Sequence, residues 1–349
     1  LLEVEWRAPS RAGVCRLSVT VSPEGTGPSA LPGLTVDVDV EVHAPSTTGM
    51  AWIPPGEFRR GDFLGTRNTV EVKTIQNASD EPFHAVHLDG YWIDKHLVTN
   101  REFRDFLVQC LEQGMARVEE IAVMGQFDGA WVPYYYFQSF EKLIPNYHDT
   151  RNARKPAFLH VIQHVDRELR IKQGMENHPV VDVSWFGAAA YARFHGKKLP
   201  SEAQWEKGAR GTDGRRFPWG NNMASAYHAN LNRELGTELT PVGSFSPTGD
   251  SPFGLADMLS DCFEWTADWF NPNYYEDYRS DMPLRNPRGP FWGRSHTIRG
   301  FPASLSFPQV EAETSEPVSA RYNWRFEFLI GDAFANSSTS FRTVLEAGE

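Results

Sequence analysis

A loop-rich fold of short strands and a few capped helices, behind a small β-module, is what this sequence predicts. Three observations carry the prediction. Gly and Pro are numerous, 28 and 24, and Trp reaches 11, a profile of many turns around aromatic packing rather than of a helical bundle. Two stretches near the start alternate apolar and polar residues at period two. Two later segments carry helical apolar stripes behind Ser or Thr caps.

Residues 1–48 form the predicted module. "CRLSVTVSP" and "LTVDVDVEVHA" alternate as half-buried strands do, "PEGTGPSALPG" connects them, and "APSTTGM" leads into a main domain over 49–349. That domain opens with "MAWIPPGEF", an apolar run broken by Pro54, Pro55 and Gly56. "AVHLDGYWI" reads as one strand, followed by a helix that Thr99 or Asn100 can cap and that carries Phe103, Phe106 and Leu107 on one face. An insertion follows at about 113–177, in which "AWVPYYYF" is a tyrosine cluster for packing or for binding. "HPVVDVSWFGAAAYARFHGKKLPSEAQWEKGARG" then predicts a short strand, an Ala-rich helix burying Trp185, Ala189 and Phe194, and a second helix. Ser201 with Gln204 three residues on makes a capping box for that second helix.

Charge and composition exclude several function classes. The 349 residues are 40% hydrophobic, enough for a substantial core, and the formal net charge of -11 disfavours a nucleic-acid partner held by a general phosphate-binding field. No apolar run approaches the length of a membrane span, and "LLEVEWRAPS" lacks the layout of a signal peptide. Cys15, Cys110 and Cys262 are far apart, without a CxxC, which leaves no disulfide framework and no thiolate zinc site. Buried thiols in a reducing, cytoplasmic compartment are the expectation.

The segments "WIPPGEFRRG", "GYWIDKHLVTNREFRDFL", "HPVVDVSWFGAAAYARFHGKKLPSEAQWEKGARG", "RRFPWGN", "PVGSFSPTGDSPFGLADMLSDCFEWTADW" and "IRGFPAS" resemble, in order, the motifs of the formylglycine-generating enzyme (sulfatase-modifying factor) family. The resemblance implies an α+β domain of the C-type lectin-like fold, with two helices, small twisted sheets and long loops. It leaves activity open, because relatives include copper-dependent cysteine oxidases, iron-dependent sulfoxide synthases, pigment-maturation enzymes and non-catalytic ligand-display proteins.

The resemblance also implies metal positions. "DMLSDCFEW" matches a calcium-wrapping segment, with Asp257 and Glu264 as carboxylate ligands and Ser260 and Cys262 as carbonyl donors; "NLNRELG" matches a second, with Asn230, Glu234, Leu231 and Gly236. Hard oxygen donors from a tight turn are what structural Ca²⁺ requires. The alternative is that Asp257 and Glu264 hydrogen-bond the turn. The oxidising relatives bind copper through a cysteine pair after an "RGG" motif, whereas no cysteine follows Arg299 here, so copper is not expected. A non-cysteine oxidase would need other ligands. "HVIQHVDRE" offers His160 and His164, which share a face if helical, with Asp166 and Glu168 beyond; His84, His87 and His96 are further candidates.

The stretch "RYNWRFEFLIGDAFANSSTSFR" has neither strand alternation nor a helical stripe. In the resembled family this region lines the exposed functional face, and one lectin-fold subset diversifies it by retroelement mutagenesis to Tyr, Phe, Ser, Asp, Asn and a few others. Residues 301–340 are rich in that alphabet, a composition that supplies rigid contact area and adaptable hydrogen bonds. The expectation is a non-catalytic binder of a protein or other macromolecule through Phe301, Ser304, Phe307, Tyr322, Asn323, Trp324, Phe326, Phe328, Phe334 and Asn336. Such a face requires the surrounding framework to hold its backbone. The alternatives are the non-cysteine oxidase and a regulatory or scaffolding domain of a signalling protein.

Overall fold

A computed structural model describes residues 13–21, 34–42, 46–61, 84–137, 160–222, 224–230, 239–259, 262–271, 274–275, 282–293, 295–300 and 339–347. In chain order the strands and helices are β1 (Gly13–Val21), β2 (Leu34–Val42), β3 (Met50–Ile53), β4 (Gly56–Arg60), β5 (His84–Leu88), β6 (Tyr91–Asp94), α1 (Asn100–Glu112), β7 (Ala116–Val118), β8 (Ala122–Phe127), β9 (Ala130–Tyr136), β10 (Ile162–Val165), β11 (Glu168–Ile171), α2 (Trp185–Phe194), α3 (Glu202–Arg210), β12 (Phe263–Trp269), β13 (Leu284–Arg285), β14 (His296–Arg299), β15 (Thr339–Ser340) and β16 (Val344–Glu346). Among the described residues they build small sheets of two or three strands, an α+β fold of the C-type lectin-like kind. The period-two stretches at the start pair as the antiparallel hairpin β1–β2.

The helices form where the caps place them. Thr99 accepts from the Glu102 N–H while the Glu102 carboxylate accepts from the Thr99 N–H, a complete capping box, and Phe103, Phe106, Leu107 and Cys110 are buried. Ser201 and Gln204 form the same box on α3. On α2, Ser184 is the cap and Ala189 is buried, while Trp185 and Phe194 lie only partly buried against the core. Gly187 of α2 sits against β9: a Cβ there would lie 2.2 Å from the Tyr134 carbonyl oxygen, so only glycine permits that approach.

Three expectations change. "AVHLDGYWI" is two strands, because the Asp89–Gly90 turn splits it; β5 pairs with β4 and β13, and β6 with β3 and β16. The short strand before α2 reduces to isolated bridges, Thr99 with Pro179 and Tyr135 with Val183. "HVIQHVDRE" is not helical: β10 and β11 form an antiparallel hairpin whose turn residues Asp166 and Arg167 have φ of 53° and 67°. The left-handed pair matches the right-handed twist of the flanking strands, which outweighs helical spacing.

The described residues of the 113–177 stretch contribute to the core. β7–β8–β9 packs Ala116, Val123, Phe127, Tyr134 and Tyr135 against Phe103, Phe106 and Tyr191 of the helices, and Ile162 and Leu169 of the hairpin join the same cluster. The tyrosines of "AWVPYYYF" are packing residues: Tyr134, Tyr135 and Tyr136 are all buried, and Phe106 lies parallel to Tyr134 at 6.0 Å between centroids. Burial pushes the Tyr134 hydroxyl up to about 12. A second cluster joins β3–β6 to α3 through Ile53, Val86, Tyr91, Ile93 and Trp205. Lys207 ties the Pro54–Gly56 turn to α3, its Nζ donating to the Pro54 and Gly56 carbonyls at 2.8 and 2.9 Å, and burial lowers its pKa to about 8. Cys110 and Cys262 are buried, and burial pushes the Cys110 thiol up to about 11.

Candidate functional site

The candidate display segment begins and ends on one strand. In the sheet β14–β12–β15, Glu264 of β12 pairs antiparallel with Arg299 on one side and parallel with Ser340 on the other. β14 and β15, which bracket residues 301–338 in the sequence, therefore lie on either side of a single strand, about 10 Å apart at the usual strand spacing. Gly300, with φ of 76°, turns the chain out of β14.

Each end is fastened by a buried arginine. Arg299 sends Nη1 to Glu202 Oε1 at 2.9 Å and Nη2 to Glu206 Oε2 at 2.8 Å. The same two carboxylates take Arg60, whose Nη2 lies 2.7 Å from Glu202 Oε2, and Arg210, whose Nη1 lies 2.9 Å from Glu206 Oε1. Arg60, Arg299, Glu202 and Glu206 have no exposed side-chain surface. Burial alone would depress the pKa of Arg299, but Glu206 and Glu202 outweigh it and hold the group above its ordinary value. Arg60 is likewise raised against burial, by Tyr275, Glu202 and Glu206.

Glu206 shows the converse balance. Burial opposes its charge, yet Arg299, Arg210 and Arg60, with the Gly61 N–H at 2.9 Å, keep its carboxyl below the usual glutamate range. Its stabilisation is therefore complete above the unfolded-state value of about 4.3 and is lost as pH falls through the depressed folded value. Urea midpoints from pH 7 to 3 are expected to fall below about pH 4.5, with a shallower fall in Glu206→Gln. Equal slopes in the two proteins would show that Glu206 contributes nothing to the acid limb.

At the other end Arg342 grips Glu264 with both prongs, Nε to Oε2 at 2.7 Å and Nη2 to Oε1 at 3.0 Å. Its remaining hydrogens reach main-chain oxygens of Asp94 (3.0 Å), Lys95 (3.2 Å) and Ala256 (3.0 Å). Next to it Phe341 is fully buried, edge-on to Tyr191 and Phe103. Thr343 donates its N–H to Asp94 Oδ2 at 2.8 Å, and Lys197 pairs with Asp94 Oδ1 at 3.0 Å.

Among the calcium-like positions, both Glu264 oxygens face the Arg342 guanidinium. Asp257, in a left-handed conformation with φ of 60°, accepts from the Gly243 N–H at 2.6 Å. Cys262 and Asn230 are buried; Ser260, Leu231, Glu234 and Gly236 lie outside the described residues. Among the described residues no three His, Cys, Asp or Glu side chains gather as a cation-holding group. The display candidates Phe301, Ser304, Phe307, Tyr322, Asn323, Trp324, Phe326, Phe328, Phe334 and Asn336 also lie outside the described residues.

The hairpin overturns the helical histidine pair. His160, with φ of 52°, points Nδ1 at Asp182 Oδ2 at 3.3 Å, while His164 lies roughly parallel to Phe137 with centroids 6.0 Å apart. The two rings face different groups, Asp182 and Phe137, and no longer share a helix face. His84 is buried edge-on to Tyr275, His87 lies 3.8 Å from Asp89, and burial, then Arg342, lowers the pKa of His96. Sequence reasoning missed the buried ion network altogether. Its available signal was Glu202, Glu206 and Arg210 at four-residue spacing on a helix whose other positions include Ala203, Trp205 and Ala209.

These geometries belong with a match that covers most of the chain. Residues 38–344 fit the sulfatase-modifying factor enzyme 1-like domain. The chain belongs to this family. A formylglycine-generating enzyme of Streptomyces coelicolor is 31% identical over 283 residues, covering 73% of this chain and 78% of that protein. Serine/threonine-protein kinase Pkn1 of Chlamydia trachomatis is 33% identical over 248 residues, 70% of this chain but 32% of the kinase, so the family domain spans about a third of that relative's length. Among solved structures, PvdO from Pseudomonas aeruginosa superposes with a TM-score of 0.51 at 21% identity over 85% of this chain and 94% of its own, a likeness of fold. No helix among the described residues is long and apolar enough to cross a membrane.

Proposed function

We propose that this sulfatase-modifying factor family member is a non-catalytic binding protein, of the retroelement-diversified kind, whose contact face lies between Phe301 and Ser340 and meets a protein or other macromolecular ligand. The observation that carries the reading is the anchorage of that segment. Arg299 and Arg342 hold its two ends through carboxylates and carbonyls supplied by other elements, as a contact face of varied side chains requires of its framework. The segment also lacks the cysteine pair on which copper oxidation in the family depends, and it carries Tyr322, Trp324, Phe326 and Phe328 among hydroxyl and amide residues, the chemistry of an adaptable contact surface.

The test is a triple substitution, Tyr322→Ser with Trp324→Ser and Phe326→Ser. If these side chains belong to a contact face, the thermal midpoint should move by about 2 °C or less, as exposed substitutions do. A fall of about 10 °C would identify them as core and end the display reading. Metal analysis of the purified chain addresses the enzymatic alternative: stoichiometric copper or iron, with turnover of a cysteine-containing peptide, would replace this proposal. The match to the Chlamydia kinases supports a second reading, a regulatory or scaffolding domain within a signalling protein. A protein kinase domain encoded in the same gene would favour it.

A further inference from the structure

The β1–β2 hairpin carries nine residue pairs in unbroken register, from Gly13 opposite Val42 to Val21 opposite Leu34. Paired residues share a face and successive residues alternate between faces, so the register sorts the sequence. Cys15, Leu17, Val19 and Val21 of β1 share one face with every second residue of β2 from Leu34 to Val42, nine positions that are all Cys, Leu or Val. The other face takes Arg16, Asp37, Asp39 and Glu41. β1 and β2 form a two-stranded sheet of their own, and such a ribbon is marginally stable in water until its apolar face is covered. All of β1 precedes residue 38, where the family match begins.

A cover has to match this strip in length. At about 3.4 Å per residue, nine residues make a strip roughly 30 Å long. The sheet next in the chain, β3 with β6 and β16, has strands of only three or four residues, about 10–14 Å, and would leave more than half the strip bare. A second copy of the hairpin has the same length and the same chemistry. At roughly 65 Å² per buried aliphatic side chain, the nine positions remove about 600 Å² per copy and about 1,200 Å² in all, the lower end of the range for a specific pair. Charge agrees with that pairing. Copies that meet apolar face to apolar face keep Asp37, Asp39 and Glu41 on opposite outer sides, the arrangement of least repulsion for a chain of net charge -11.

We propose that the chain self-associates as a two-fold pair through this strip, the hairpin of one copy packed face to face on the hairpin of a second at the usual sheet spacing of about 10 Å. A two-fold interface is isologous, so the middle of the strip, where Leu17 stands opposite Val38, meets the same residues of the second copy. The surface lies apart in sequence from the Phe301–Ser340 face, and the pairing does not depend on that reading.

Sedimentation velocity of the full chain from about 1 to about 100 µM tests it, the range in which an interface of this area pairs weakly. The native chain is expected to pass from monomer to dimer across that range. Leu17→Asp sets two carboxylates against each other at the centre of the pair and should weaken association at least about tenfold. Ser18→Asp makes the same charge change one residue on, hence on the other face, and should weaken it less than about twofold. An equimolar mixture of Leu17→Asp and Leu17→Lys chains should recover the dimer that neither forms alone, which a merely unfolded hairpin could not do. The proposal falls if the native chain stays monomeric at the top of the range, if Ser18→Asp dissociates the pair as readily as Leu17→Asp, or if the mixture stays monomeric. A monomeric native chain whose thermal midpoint falls in Leu17→Asp would mean that the chain's own domain covers the strip, and an unchanged midpoint would leave the strip to a different protein.

Discussion

Arg342→Ala is expected to destabilise the protein by about 3–5 kcal/mol, the cost of leaving a buried carboxylate without its partner. The guanidinium contributes two parallel hydrogen bonds to Glu264 and three more to carbonyls of Asp94, Lys95 and Ala256, joining β6, the turn before β12 and β12 itself. Removing it strands Glu264 in a site where its side chain is 1% exposed, so water cannot replace the lost contacts. A domain of this size should lose on the order of 10 °C in thermal midpoint. Arg342→Lys should recover little, because a single ammonium cannot serve both carboxylate oxygens and three carbonyls in one plane. A midpoint within about 2 °C of native for the alanine variant would mean that the C-terminal strands do not depend on this anchor.

Glu206→Gln should be similarly damaging although it conserves shape. One Glu206 oxygen faces Arg210 and the Gly61 N–H, and the other faces Arg299 and, at 3.8 Å, Arg60. Neutralising it leaves Arg60 and Arg299 with Glu202 as their shared carboxylate and Arg210 without its ion pair, with Asp268 and the Tyr275 ring as further company for Arg60. The excess positive charge has no solvent to relax it, so a loss of about 3–5 kcal/mol is expected in urea unfolding. The pairing with Arg299 should appear as strong non-additivity: Arg299→Met in the Glu206→Gln background should cost much less than in the native chain. Additive effects would show that the two groups are energetically independent despite their 2.8 Å separation.

The elements that were legible in the sequence are those specified locally. Thr99 and Ser201 announced α1 and α3 because a cap is a contact within four residues, and both capping boxes are present. The hairpin of residues 162–171 was misread because histidines four apart fit a helix and a strand face alike, and the decision lay in the turn, where Asp166 and Arg167 accept a left-handed backbone. The split of "AVHLDGYWI" was carried by Asp89–Gly90, a turn signal inside an apolar run. Beyond the four-residue spacing on α3, the ion network was not legible, since Arg60, the Glu202–Glu206 pair and Arg299 lie in three separate motifs and each, taken alone, suggests solvent. Only the fold brings them within 3 to 4 Å. The family motifs marked the positions without revealing that their charges neutralise one another in the interior.

The shared footing of β14 and β15 on β12 has a consequence for how such a protein can change over generations. The framework fastens both flanks of residues 301–338 through its own charges, so additions and deletions between them leave Arg299 and Arg342 with the same carboxylate partners. Novelty in size, as well as in side chains, is open to it.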